Sequence, residues 1–264
     1  MYGAIIGDIC GSIYEFNNFK TENPAEIPLI DPRCIFTDDT VLTCAIIEAL
    51  LSKRDYVKVI YRWANKYPQR GYGHRFAIWF TSLFPKPYNS YGNGAAMRVS
   101  AIGWAFDTIE ETLAEAKCSA EITHNHPEGI KGAQAAATAV FLARQGESKE
   151  VIKKCIKDTF GYNLNRTLKD IRSHYEFNES CQGTVPEAII AFLESTDFQE
   201  AIQKAISLGG DSDTLACITG GIAEAYYKKI PVELIEFAKQ KLSEEIIELL
   251  ERFYREYARA VCLH

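Results

Sequence analysis

The sequence lacks several features that would place it in a specialised class of protein. No apolar run approaches the ~18 residues that a membrane-spanning helix needs, so we expect no membrane segment. None of the 8 cysteines forms a C-x-x-C pair, and most lie among apolar neighbours. This favours buried free thiols in a reducing, cytoplasmic setting over disulfides or zinc. The first residues, MYGAIIGD, include no basic leader, and we predict no signal peptide.

An excess of basic charge is also missing. The 29 Lys and Arg residues are outnumbered by 35 Asp and Glu residues, which gives a formal net charge of -6. General nucleic-acid binding is therefore not expected, although a single modified base or nucleic-acid end stays open as a substrate. Alternating runs typical of strands are lacking too, so we predict one all-α domain over residues 1–264, and we expect a monomer.

The most informative stretch that is present is G-G-D-S-D-T at residues 209–214. Asp211 and Asp213 follow two glycines, and an apolar stripe at helical spacing begins at Leu215. Helix capping by Asp211 or Ser212 would explain one acid, but not both acids together with the glycine pair. Clustered carboxylates at a helix start also suit a hard divalent cation. Taken alone, this stretch leaves both capping and metal binding open.

A second helix start, T-D-D-T at residues 37–40, has a similar composition. Thr37 is a candidate N-cap, and Asp38 and Asp39 suit the positive end of the helix that an apolar stripe predicts next. If both starts converge, they supply four carboxylates and two threonine hydroxyls, enough oxygen for two magnesium-like ions. The functional interpretation depends on this convergence.

The segment before residue 37 is predicted as a helix followed by a long loop. Residues 3–16 contain three glycines at four-residue spacing, which indicates close approach of another helix or of a ligand. Asp8 and Glu15 would lie two turns apart on one face of that helix, and the simplest interpretation is a solvated face. Residues 17–36 show no periodicity and are predicted as a loop of the kind that often binds ligands.

Two further segments carry groups suited to a ligand. The run Y-G-N-G-A-A-M-R at residues 91–98 offers backbone N–H groups of the kind that cradle a phosphate, although a plain turn is a commoner meaning of G-x-G. The run T-H-N-H-P at residues 123–127 opens an alanine-rich helix. We predict that His124 forms hydrogen bonds in a site and that His126 is structural, because their spacing does not fix a metal-ligand pair.

Five of these motifs, taken in order, resemble the ADP-ribosylglycohydrolase family, which includes dinitrogenase reductase-activating glycohydrolase and the vertebrate ADP-ribosyl-acceptor hydrolases. They are G-D with the later Glu at residues 7–15, T-D-D at 37–39, G-N-G-A-A-M-R at 92–98, T-H-N-H-P at 123–127 and G-G-D-S-D-T at 209–214. The resemblance implies an all-α, compact orthogonal multi-helix bundle. It also implies hydrolysis of the C1″ glycosidic bond between ADP-ribose and an acceptor, which reverses ADP-ribosylation. The acceptor would be a protein side chain such as arginine or serine, a nucleobase or nucleic-acid end, or a small molecule.

The resemblance also implies roles for individual residues. It implies two divalent cations, Mg²⁺ or Mn²⁺, held by Thr37, Asp38, Asp39, Asp211, Asp213 and Thr214. It implies substrate binding by Gly92, Asn93, Gly94, Met97, His124 and Gly210. A water molecule deprotonated by Asp38, Asp39 or Asp213 would attack C1″. Glu15 lies where some family members carry a mobile acid near the reaction centre, and it is a further catalytic candidate.

Two other interpretations of the acidic stretch fail in context. D-x-D-T also opens the haloacid-dehalogenase motif, but there it follows a buried strand, whereas residues 200–206 are amphipathic and helical. An EF-hand would need Gly and Glu where the chain has Ala216 and Ile222. The remaining alternative is a non-catalytic ADP-ribose-binding or crystallin-like structural member of the same family. Intact acids at both helix starts favour the hydrolase.

Overall fold

The computed structural model describes residues 1–257, and within them it has fourteen α-helices and no β-sheet. The all-α class predicted from the sequence is confirmed. The helices are α1 Tyr2–Gly11, α2 Asp38–Leu50, α3 Tyr56–Lys66, α4 His74–Thr81, α5 Ser100–Ala105, α6 Ile109–Glu121, α7 Pro127–Gln145, α8 Lys149–Phe160, α9 Leu168–Arg172, α10 Cys181–Glu194, α11 Phe198–Ile206, α12 Ser212–Tyr227, α13 Val232–Lys241 and α14 Glu244–Tyr257.

The helices α1 and α12 form an antiparallel pair at the centre of the bundle, and both are almost wholly buried. Their backbones touch where α1 has glycine. A Cβ atom added at Gly7 would lie 2.0 Å from the carbonyl oxygen of Ala216, and one added at Gly11 would lie 2.5 Å from the Cα atom of Asp213. The spaced glycines therefore serve close approach of a second helix, and they place the end of α1 against the first turn of α12.

The first helix is shorter than the sequence predicts. It ends at Gly11, and the chain turns before a short 3-10 helix at Glu15–Asn17. The Ser12 hydroxyl donates to the Ile9 carbonyl at 2.8 Å and accepts the Ile35 N–H at 3.1 Å, which ties this turn to the loop before α2. The prediction that Asp8 and Glu15 share a solvated helical face is therefore wrong.

The outer helices follow the sequence pattern closely. The two aromatic helices predicted over residues 55–84 are α3 and α4, and their side chains Trp63, Phe76, Trp79 and Phe80 are buried. Residues 17–36 form the predicted loop, apart from the end of the 3-10 helix at Glu15–Asn17 and a second 3-10 turn at Pro24–Glu26. The apolar stripe of α14 is buried and packs against α2.

The cysteines of the described chain are free thiols, as predicted, and Cys10, Cys44 and Cys217 are fully buried. Burial raises the pKa of the Cys10 and Cys217 thiols well above the usual value, so these side chains act as small apolar groups. None of the helices described in residues 1–257 combines the length and the apolar character that a bilayer crossing requires.

Candidate active site

The first turns of α2 and α12 lie together, as the sequence predicted. The Thr214 hydroxyl donates to Asp39 Oδ2 at 3.2 Å, across 175 positions of the chain. Carboxylate oxygens of Asp8, Asp39 and Asp213 lie within 4.8 Å of one another, and those of Glu15, Asp211 and Asp213 do likewise. Asp213 belongs to both groups, so the two groups form one acidic cluster.

Asp8 is a site residue that the sequence interpretation missed. Its buried carboxylate accepts the Thr37 N–H at 3.0 Å and the Thr37 hydroxyl at 2.7 Å. It also accepts the Thr40 N–H at 3.0 Å and the Thr40 hydroxyl. Four donors from the start of α2 therefore hold one carboxylate of α1, which ties the segment that contains Asp38 and Asp39 to α1. The G-D pair at residues 7–8 was the only available sequence signal for this role.

The two helix starts differ in how they use their capping positions. Thr37 caps α2 as predicted, since its hydroxyl oxygen accepts the Asp39 N–H at 3.3 Å. Asp211 occupies the N-cap position of α12, but its side chain forms no capping hydrogen bond. It accepts instead from Asn93 Nδ2 at 2.6 Å. The Asp211 carboxylate is therefore bound to the glycine loop.

The acidic cluster is strongly desolvated. Burial raises the pKa of Asp38, Asp39 and Asp213 well above the usual carboxyl value, and the charges of neighbouring acids raise it further. Burial, followed by the charge of Asp211, raises the pKa of Glu15 to about 7. Like charges confined in this way are unfavourable unless a cation or a proton balances them.

The acids form one wall of a cleft with a volume of about 280 Å³. The predicted site residues that line this cleft are Glu15, Asp38, Asp39, Asp211, Asp213, Thr214, Gly92, Asn93, Gly94, Met97 and His124. Thr37 and Gly210 lie beside the cleft without lining it. The Thr37 hydroxyl is engaged by Asp8, and the Gly210 N–H donates to Asn18 Oδ1 at 3.0 Å from a backbone with φ of 70°. Their roles toward metal and substrate stay predictions.

The glycine loop and His124 line the same cleft. The loop turns through a 3-10 helix at Asn93–Ala95, and the Asn93 N–H donates to the Glu179 carbonyl at 2.7 Å. A Cβ atom added at Gly92 or Gly94 would lie 3.4 Å from His124 Nε2, so glycine at both positions leaves space beside the ring. Burial lowers the pKa of His124 well below its usual value, and the charge of Arg98 lowers it further. His124 is therefore neutral.

His126 has the structural role that the sequence predicted. Its Nδ1 atom accepts the Glu128 N–H at 3.1 Å and caps α7. Arg75 and Phe177 are among the cleft residues that were not predicted. Both residues lie outside the recognised motifs, and tertiary packing brings them to the cleft. The Arg75 guanidinium, for example, packs on the Tyr88 ring, 4.9 Å from its centre.

Known proteins resemble this chain in sequence and in fold. The chain is 29% identical over 304 residues to ADP-ribosylhydrolase ARH3 of Homo sapiens, covering 85% of this chain and 83% of the human protein. It is 31% identical to ADP-ribosylhydrolase ARH3 of Gallus gallus over 73% of this chain and 70% of that protein. A solved structure described as an ADP-ribosylglycohydrolase-related protein complex superimposes with a TM-score of 0.71 and 25% identity, covering 96% of this chain and 95% of the other. The sequence profile of the ADP-ribosylglycohydrolase family matches residues 1–261, so the chain that carries this acidic cleft belongs to that family.

Proposed function

We propose that this protein is a metal-dependent hydrolase that cleaves the C1″ glycosidic bond between ADP-ribose and an acceptor. The observation that carries the proposal is the acidic cluster inside the cleft, which faces a glycine loop and a neutral histidine. Similarity to proteins named ADP-ribosylhydrolase supports the substrate class.

The residues of the cluster fit divalent cations. All the candidate donors are carboxylate or hydroxyl oxygens, the ligands that hard cations prefer, and they suit Mg²⁺ and Mn²⁺ alike. Asp39 Oδ1 is buried and has no hydrogen-bond partner among the described residues, which is expected for an oxygen that serves as a cation ligand. The ligands would come from Asp38, Asp39, Asp211, Asp213, Thr214 and Thr37. Bound cations would offset the negative charge and help to hold the ribose hydroxyls.

The glycine loop and His124 would bind the rest of the ligand. Backbone N–H groups of the glycine loop suit the diphosphate. Asn93 is held in place because its Nδ2 atom donates both to Asp211 at 2.6 Å and to the Thr184 hydroxyl at 3.1 Å. The loop and the acidic wall are therefore directly connected, which would align the diphosphate with the reacting ribose.

The chemistry follows from the charge of the cluster. Cleavage of a glycosidic bond passes through an oxocarbenium-like state, which nearby carboxylates stabilise. A carboxylate among Asp38, Asp39 and Asp213 would take a proton from water as the water oxygen bonds to C1″. The bond from C1″ to the acceptor breaks, and the acceptor leaves with a proton. Glu15, with a pKa near neutrality, is suited to supply that proton.

The test is release of free ADP-ribose from a panel of ADP-ribosylated arginine, serine and nucleobase substrates. We expect release from at least one linkage with Mg²⁺ or Mn²⁺, and none with a chelator or in Asp213→Ala. Full activity in chelator would contradict the metal requirement. Binding of ADP-ribose without release from any linkage would favour the non-catalytic alternative.

A further inference from the structure

Arg98 is a buried cation for which the proposed mechanism has no use. It follows the glycine loop directly and is fully buried. Its Nη2 atom donates to the Ser119 carbonyl at 2.6 Å and to Thr123 Oγ1 at 3.1 Å. Its Nε and Nη1 atoms have no partner within the part of the chain that the structure describes. Burying a guanidinium without a balancing carboxylate is unfavourable, and this suggests a role beyond packing.

The contact with Thr123 fixes the direction of the next hydrogen bond. A guanidinium only donates, so Thr123 Oγ1 accepts from Arg98 and has one proton of its own to give. The candidate acceptors are His124 Nδ1 at 2.7 Å and the Ala120 carbonyl at 3.5 Å. The shorter contact has normal hydrogen-bond geometry, whereas the longer one is at the limit. If Nδ1 were the donor, the Thr123 proton would be left with only the 3.5 Å contact, so this arrangement favours donation from the Thr123 hydroxyl to His124 Nδ1.

A nitrogen that accepts a hydrogen bond carries no proton, so the proton of a neutral His124 is on Nε2. The nearby charge of Arg98 opposes protonation of the second nitrogen. Nε2 is also the ring atom that lies beside the loop, 3.4 Å from the Cβ positions of both Gly92 and Gly94. An N–H donor on Nε2 therefore lies beside the loop in the cleft that His124 lines.

We propose that Arg98 and Thr123 are positioning residues that hold His124 as the Nε2-protonated tautomer, so that its ring donates a hydrogen bond to an oxygen of bound ADP-ribose. The identity of the ligand rests on the proposed function. The tautomer does not, because it is set within the free protein. A purely structural Arg98, which only ties the end of α6 to the loop, would affect folding without affecting the ring proton.

The first test measures the tautomer directly. Protein labelled with ¹⁵N-histidine is studied by long-range ¹H–¹⁵N correlation at neutral pH, and the His124 signals are assigned by their loss in His124→Gln. We expect only Nε2 to be protonated in the unsubstituted protein. Thr123→Val keeps the shape of the side chain but removes the hydroxyl, and it should give a mixture of tautomers. A proton on Nδ1 in the unsubstituted protein, or an unchanged tautomer in Thr123→Val, would overturn the proposal.

The second test measures ADP-ribose affinity by calorimetry in Mg²⁺. Thr123→Val should raise the Kd about tenfold, the usual worth of one oriented hydrogen bond, and Thr123→Ser should restore it. The matched control is Thr138→Val, because the Thr138 hydroxyl is also buried but has no hydrogen-bond partner among residues 1–257. An unchanged Kd in Thr123→Val would overturn the positioning role of Thr123 in ligand binding. If the unsubstituted protein does not bind ADP-ribose, the proposed function fails while the tautomer assignment is still decided by the first test.

Discussion

At the scale of single residues, Asp213 is central to the acidic cluster, because it belongs to both groups of neighbouring carboxylates. It is buried in the first turn of α12, and its Oδ1 atom accepts the Thr214 N–H at 3.0 Å. A change from carboxylate to amide at this position keeps the size of the side chain. It removes the charge that cations would need and that neighbouring acids repel.

We therefore expect Asp213→Asn to reduce kcat/KM by at least about a hundredfold. Loss of a group that only hydrogen-bonds to a metal ligand lowers activity by up to about that factor, so loss of a ligand should lower it at least as much. With a chelator present, the melting temperature of Asp213→Asn should be higher than that of the unsubstituted protein, because the variant removes one of several buried negative charges that repel one another. Asp158→Asn is the control, because Asp158 is exposed on α8. Full turnover in Asp213→Asn would contradict the proposed site.

Glu15 allows a separate prediction. If it donates a proton to the acceptor, Glu15→Gln should lower kcat by about 10²- to 10⁴-fold and leave ADP-ribose affinity nearly unchanged. Glu179→Gln is a matched control, since Glu179 lines the same cleft but is exposed and lies outside both carboxylate groups. If Glu15→Gln instead lost the stabilisation by Mg²⁺, Glu15 would be a metal ligand and not the acid.

The limits of sequence interpretation are visible in these residues. Asp39 and His124 could be predicted, because a helix start and a short motif are local patterns. Asp8 could not, because nothing local distinguishes a surface acid from one that accepts four hydrogen bonds from a helix lying 29 positions away. Arg98 was visible only as part of a motif; its burial and its contact with Thr123 depend on how α6 packs.

At the scale of elements, the contact between α1 and α12 positions the acidic cluster. The sequence predicted a close approach from the glycine spacing but not its partner, since many helices in the chain have an apolar face. The sequence also predicted that the first helix continues to residue 16, whereas α1 ends at Gly11. Helical periodicity does not show that the Ser12 hydroxyl bonds the Ile9 carbonyl at this end. Both omissions concern tertiary contacts.

Gly7→Ala tests the contact. The added methyl group would lie 2.0 Å from the Ala216 carbonyl oxygen, so the two helices must separate. We expect a loss of about 3 kcal/mol in the free energy of unfolding, which is the cost of overpacking a core, and a melting temperature lower by roughly 6–12 °C. Activity should fall as well, because Asp8 follows directly.

The control is Gly73→Ala, where the added methyl group would meet nothing within 4 Å. Its φ is -56°, which any residue adopts, so its melting temperature should be the same or slightly higher. Equal melting temperatures for Gly7→Ala and the unsubstituted protein would show that the two helices do not touch as described.

At the scale of the whole molecule, the same burial that shapes the cleft affects stability. The carboxyl groups of Asp38, Asp39 and Asp213 have a folded-state pKa well above that of the unfolded chain. A carboxyl group whose pKa is raised by folding binds its proton more tightly in the folded protein than in the unfolded chain. Their contribution is therefore favourable below the unfolded pKa of about 4 and is lost as the pH rises toward the folded values.

Divalent cations should reverse this loss, because they bind the ionised carboxylates. The melting temperature in Mg²⁺ minus that in chelator should be small at about pH 5, where protons still compete for the cluster, and larger at about pH 8. Taking the difference at each pH cancels the titration of surface groups, which is the same in both solutions. Differential scanning calorimetry at the two pH values, with Mg²⁺ and with chelator, measures this difference in melting temperature.

The Asp39→Asn and Asp213→Asn double variant separates this effect from weak cation binding elsewhere on an acidic protein. It removes two of the three carboxylates in the group with Asp8 and leaves the surface unchanged. Its difference between Mg²⁺ and chelator should be near zero at both pH values. A pH-dependent difference that persists in the double variant would mean that the cations stabilise the fold from another place, and that the buried acids are balanced by protons alone.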